Sequence, residues 1–168
     1  MEADRREAWL EEVMEKWAAG ILRTCYAYLG DRALAEDALQ ETFLKAWKGY
    51  DCFRGEAQEN TWLMRIAINT CKDVRRSAYF RHVDRSVPID ELPEGSVPFT
   101  MEDDTVTRAV MRLKNPIKEA VLLCWYWQCP SGEAAQVLGI SRTMVYKRLE
   151  RARRILREEL GAWYDEEE

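Results

Sequence analysis

The chain has 168 residues, enough for one ordinary domain or two small ones, and at 47% apolar and 33% charged it reads as globular. A net charge of −5 excludes a simple nucleic-acid coat, which would be basic throughout, and no apolar run reaches membrane-spanning length. One histidine, no glycine-rich phosphate loop and no nucleophile–base pair of recognisable spacing leave no enzymatic chemistry to assign.

The five cysteines, Cys25, Cys52, Cys71, Cys124 and Cys129, lack paired metal-site spacing. Neither a metal nor another cofactor is expected. The opening MEADRREAWLEE is charged and has no apolar export core, so free thiols in a reducing cytoplasm are the expected state.

From Ala3 to Leu29, Leu10, Val13, Met14, Trp17, Ile21, Leu22, Cys25 and Tyr28 recur with helical period. Gly20 lies inside that pattern as a candidate bend or break. Gly30-Asp31 ends this helix and starts the next, which spans about Arg32 to Lys48. Its buried face is predicted at Ala35, Ala38, Leu39, Thr42 and Ala46, with Phe43 a further candidate. Glu36, Asp37, Gln40, Glu41 and Lys45 lie on the other side, with Leu44 and Trp47 available near the end. Tyr50 to Asn60 is polar, contains Gly55 and has no period, so a loop is expected. Asn60 or Thr61 would cap a third helix, with an apolar stripe through Trp62, Leu63, Ile66, Ala67, Thr70 and Val74. Its later part turns basic at Lys72, Arg75, Arg76, Arg81 and Arg85.

Ser86 to Thr105 carries Pro88, Pro93, Pro98, Gly95 and six carboxylates, with no lysine or arginine, and reads as an extended acidic linker. A second helical module follows, through Val106, Val110, Met111 and Leu113. Asn115-Pro116 supplies a cap and a proline at the first position of the next helix, which reaches Trp127. The expected fold is all-α: a three-helix bundle over 1–85, a linker over 86–105 and a helix-turn-helix module over 106–168.

The helix-turn-helix reading rests on Ser131 to Leu160. Gly139 suits a left-handed helix end and Ser141 suits the cap of the following helix. Ala134, Ala135, Val137 and Leu138 let the first helix approach closely, while Val145, Leu149, Ala152 and Leu156 stripe the second. The other face of that second helix holds Arg142, Lys147, Arg148, Arg151, Arg153, Arg154 and Arg157, opposed between Ile140 and Arg157 only by Glu150. A polyanion satisfies such a face. Phosphates fit it, with Ser141, Arg142, Thr143 and Tyr146 placed to reach base edges in a major groove.

The blocks AEDALQETFLKAW (Ala35 to Trp47), FRG (Phe53 to Gly55) and TWLMRIAINTCKDVRR (Thr61 to Arg76) resemble the second region of the extracytoplasmic-function (ECF) sigma factors, members of the sigma-70 family. Leu113 to Leu156 resembles their fourth region. The resemblance implies a bacterial RNA polymerase subunit for promoter recognition and transcription initiation. Glu36, Asp37, Gln40, Glu41, Phe43 and Trp47 would dock on the clamp helices of the largest polymerase subunit, with the polymerase flap a further contact. Phe53, Arg54 and Gly55, on through Asn60, would capture a −10 base, beside Trp62, Arg65, Ile66 and Asn69, and Lys72, Arg75 and Arg76 would hold phosphates. Ser141, Arg142, Thr143, Tyr146, Lys147, Arg148, Arg151 and Arg154 would meet the −35 element. The resemblance also implies an anti-sigma factor as partner, and a linker at Asp90 to Glu94 that mimics RNA in the polymerase cleft.

The chain departs from the family at Glu133-Ala134-Ala135, at Tyr146 and at Lys114-Asn115 before Pro116. A free-standing helix-turn-helix regulator that binds operators as a dimer is the competing reading. The Glu36–Trp47 face discriminates the two, since only a sigma factor needs it for polymerase.

Overall fold

In the computed structural model, described over residues 1–55, 57–83 and 105–164, every regular element among the described residues is helical. Side chains at 79–83 and 162–164 lie outside the description, and so do the expected linker with Asp90 to Glu94 and the acidic tail. The chain divides into two compact units, α1 to α3 and α4 to α7.

In the first unit α1 spans Glu2–Leu29 without interruption, so Gly20 causes no break. Val13, Ile21, Thr24, Cys25, Ala27 and Tyr28 line its buried face, whereas Met14 stays exposed. Gly30 ends α1 in the left-handed conformation, φ 70°, and its N–H donates to the Tyr26 carbonyl. The Asp31 carboxylate then accepts from the Leu34 N–H at 2.9 Å and starts α2, Arg32–Lys48. Two residues thus reverse the chain. Ala35, Ala38, Thr42, Phe43 and Ala46 face inward on α2. A 3-10 turn at Tyr50–Cys52 follows, where only loop was expected.

The third helix, α3, runs Glu59–Val83, so it begins before the predicted caps. Asn60 instead lies within the first turn, its Oδ1 accepting from the Thr61 N–H at 2.9 Å. Leu63, Met64, Ala67, Ile68 and Cys71 complete the core, and α1 packs against both α2 and α3. Burial of this apolar set is the term that holds three helices of modest intrinsic propensity together.

The second unit starts with α4, Thr105–Arg112, which buries Ala109 and leaves Val106 exposed. Lys114, not Asn115, occupies the cap position of α5, Asn115–Val121. Asn115 Nδ2 is buried without a hydrogen-bond partner. Beyond Val121 the helix does not stay α-helical: Leu122–Tyr126 forms a π-turn, with the Trp127 N–H donating to the Leu122 carbonyl at 3.0 Å. Gln128 follows at φ 52°, then α6 at Ser131–Leu138 and α7 at Arg142–Tyr164.

Candidate nucleic-acid interface

The turn between α6 and α7 follows from three residues. Gly139 takes φ 66°, and the Ile140 N–H donates to the Ala135 carbonyl at 3.0 Å. Ser141 Oγ accepts from the Met144 N–H at 3.1 Å, capping α7. Ala134 and Ala135 on α6 and Val145, Leu149, Ala152 and Leu156 on α7 are buried, so the helix-turn-helix packs along the predicted stripe.

What remains outward on α7 is basic. Arg142, Thr143, Tyr146, Lys147, Arg151 and Arg154 are exposed. The Tyr146 hydroxyl lies 3.0 Å from Ser131 Oγ, tying the start of α6 to the first turns of α7. Arg142 folds back over Gly132, where a side-chain carbon would sit 2.5 Å from its Nη2. Two arginines behave otherwise than the spacing predicts. Arg148 turns inward, donating to the Pro116 carbonyl at 3.3 Å with Glu119 Oε2 at 3.9 Å, so it braces α7 on α5. Its place among the DNA-facing residues is corrected accordingly: a long side chain reaches a buried carboxylate more readily than a helix wheel suggests. Arg153 stacks on Trp125 at 5.5 Å and pairs with Glu150.

In the first unit, Glu36, Asp37, Gln40 and Glu41 are exposed on α2, and Leu44 joins them at 52% exposure. Glu36 also pairs with Arg32 at 3.0 Å. Beside this stripe Asp37, Glu41, Lys45, Thr70 and Asp73 line a groove of about 370 Å³ between α2 and α3. Lys45 spans it, donating to Thr70 Oγ1 at 3.2 Å with Asp73 Oδ2 at 3.4 Å. Phe43 is absent from this surface. It is only 5% exposed and belongs to the core, because its position follows Ala35, Ala38 and Thr42 around the inward face. The predicted contact role for Phe43 is withdrawn on that ground. Trp47 is 40% exposed but engages Arg6 of α1, whose guanidinium lies 5.4 Å from its ring centre.

The segment after α2 gathers the aromatic residues of three elements. Trp9 of α1 meets Tyr50 at 4.9 Å and Trp62 at 6.1 Å, and Phe53 meets Trp62 at 5.0 Å. Each of these rings is half-buried, with one part open to solvent. Gly55 takes φ 71°, the left-handed backbone that favours glycine. Arg54, Arg65, Asn69, Arg75 and Arg76 are exposed, and Asn60, Ile66 and Lys72 are partly so. The sequence pattern offered no sign that Arg6 and Trp9 would join this cluster. Only the length of α1 brings its first turns back to the loop.

No described helix is long and apolar enough to cross a membrane. The Sigma-70 region 2 family matches residues 13–81. The ECF RNA polymerase sigma factor SigL of Mycobacterium tuberculosis is 32% identical over 162 residues, covering 92% of each chain. SigW of Bacillus subtilis is 26% identical over 163 residues, covering 89% of this chain and 87% of that one. The fold is similar to that of the sigma factor RpoE, solved with the anti-sigma factor NepR from Bartonella quintana. That similarity has a TM-score of 0.77 at 22% identity, over 90% of this chain and 96% of the other. Similarity over nearly the whole length removes the free-standing regulator as a reading: the chain belongs to the extracytoplasmic-function sigma factors, the sigma-70-family subunits that direct RNA polymerase to promoters.

Proposed function

We propose that the two units divide promoter recognition between them and act only when core polymerase holds both. The unit containing α1 to α3 docks on polymerase through Asp37, Gln40, Glu41 and Leu44, with Glu36 at the edge. It meets the −10 element through Phe53 to Asn60, Trp62, Arg65 and Asn69, and through phosphates at Lys72, Arg75 and Arg76. The α4 to α7 unit meets the −35 element. Ser141, Arg142, Thr143 and Tyr146 sit at base edges, and Lys147, Arg151 and Arg154 on phosphates. The chain works in the cytoplasm, has no chemistry of its own, and is held in check by an anti-sigma protein.

One observation carries this reading: the faces named here are exposed, while the opposite faces of the same helices form the two cores. Phosphate contacts position a protein and base contacts give it selectivity, so a few base-facing side chains above a basic helix suffice. The net charge of −5 makes the free chain a weak DNA ligand, since affinity follows phosphate neutralisation. Run-off transcription with core polymerase over a library of −35 and −10 elements tests the proposal. The expected result is a defined pair of elements, transcribed only when the chain is added. Tight, sequence-specific DNA binding by the free chain, with no co-elution with core polymerase, would overturn it.

A further inference from the structure

The first turns of α1 lie outside the segment matched by the Sigma-70 region 2 family, yet they are built into the loop that follows α2. Arg6 is the centre of the arrangement. Its guanidinium pairs with the Asp51 carboxylate and lies 5.4 Å from the Trp47 ring centre and 5.5 Å from that of Tyr50. One cation therefore joins the end of α2 to the 3-10 turn. One helical turn further on, Trp9 packs against Tyr50 and Trp62. Deeper along α1, Trp17 Nε1 donates to Glu59 Oε1 at 2.9 Å, fixing the start of α3. The loop is thus fastened at both its ends by one helix.

We infer that Arg6 and Trp9 are positioning residues for base capture: they hold the Tyr50, Phe53 and Trp62 rings as a rigid platform on which an unstacked non-template base rests. The inference rests on the reading of Phe53 to Asn60 as the −10 loop. Its physical content is that aromatic faces bind an unpaired base only as well as they are held in place. Half-buried rings on a short loop would otherwise turn in solution and lose that advantage. Trp47 accordingly belongs to this brace and not to the polymerase-facing stripe.

The test uses holoenzyme assembled from core polymerase and the full chain. A pool of fork-junction DNAs, each duplex upstream with a randomised single-stranded non-template overhang, is first selected on the wild-type holoenzyme. R6A and W9A are then compared on the enriched overhang. The expected result is a loss of retention of roughly tenfold for each, with core co-elution and retention of the fully duplex upstream DNA unchanged. R6K keeps the cation and W9F keeps a ring, and each is expected to recover most of the loss. Wild-type retention by R6A and W9A overturns the brace while leaving the loop reading intact. Loss of core co-elution in the same variants overturns it too, because the residues would then serve only folding. If the wild-type holoenzyme enriches no overhang, the loop reading itself fails.

Discussion

Phe43 offers the sharpest test of the reasoning, because sequence similarity and structure assign it opposite roles. Its ring is 5% exposed, among the side chains with which α2 packs on α1 and α3. Phe43→Ala removes that ring and leaves a void that close-packed helices fill only in part, at a cost of about 3–5 kcal/mol. A module of this size has a total stability of roughly 4–12 kcal/mol, so the variant loses a large share of it. The midpoint of thermal unfolding is expected to fall by at least about 12 °C, taking the lower cost and the lower sensitivity for a domain of 60–100 residues. Leu44→Ala, one position along at 52% exposure, is the control, expected to shift stability by less than about 0.5 kcal/mol while weakening co-elution with core polymerase. Hydrogen exchange of the α2 amides isolates the first unit from the second and gives the local free energy. An F43A protein with wild-type α2 protection but no polymerase binding would refute the assignment and return Phe43 to the surface.

The remaining expectations concern thiols, arginines and one glycine. Cys52 is exposed and should react first with a thiol reagent, whereas Cys25, Cys71 and Cys129 are buried and should wait for unfolding. Hydrogen bonding with Cys25, and then burial, push the Cys71 thiol well above its ordinary range. Its folded form stays protonated where the unfolded thiol, with a value of about 8.5, ionises. Stability from this source is therefore fully present below that pH and falls as pH rises past it, a trend that Cys71→Ala should flatten in denaturant titrations. Arg154→Ala should reduce the salt dependence of holoenzyme binding to −35 duplex by about one counterion. Arg148→Ala should leave that slope unchanged and destabilise the second unit by about 1 kcal/mol, read from urea unfolding. Gly132→Ala should leave stability within about 1 kcal/mol of wild type, but displace the Arg142 guanidinium from above it and weaken −35 binding by holoenzyme.

Much of this was legible because the signals are local. Gly30-Asp31 and Gly139-Ile140-Ser141 are each a helix end followed by a cap, and backbone chemistry alone decides them. The apolar stripe of α7 is equally local, since its period is fixed by the helix that carries it. Phe43 and Leu44 were harder, because both are apolar neighbours and a few degrees of rotation decide which is buried. Arg148 resembles its neighbours in sequence, and its inward course depends on Glu119, which lies about eight turns of helix and loop earlier in the chain. The Arg6–Asp51 pair and the Trp9 contacts join residues more than forty positions apart, so no window of sequence contains them. Asn115 was misplaced by one position, because Lys114 takes the extended backbone conformation that precedes the proline-containing first turn.

The π-turn at Leu122–Tyr126 has a consequence for how the second unit tolerates change in chain length. A wider turn accommodates one residue more than regular α-geometry would, and it rotates everything downstream about the helix axis by roughly 100°. That rotation delivers Trp125 to the underside of Arg153 and sends Tyr126 outward. Shortening the chain by one residue at Cys124 would let the segment relax into ordinary helix, at little backbone cost. It would also swing the aromatic trio away from α7, so the insertion acts as a built-in phase shift between the two halves of the unit.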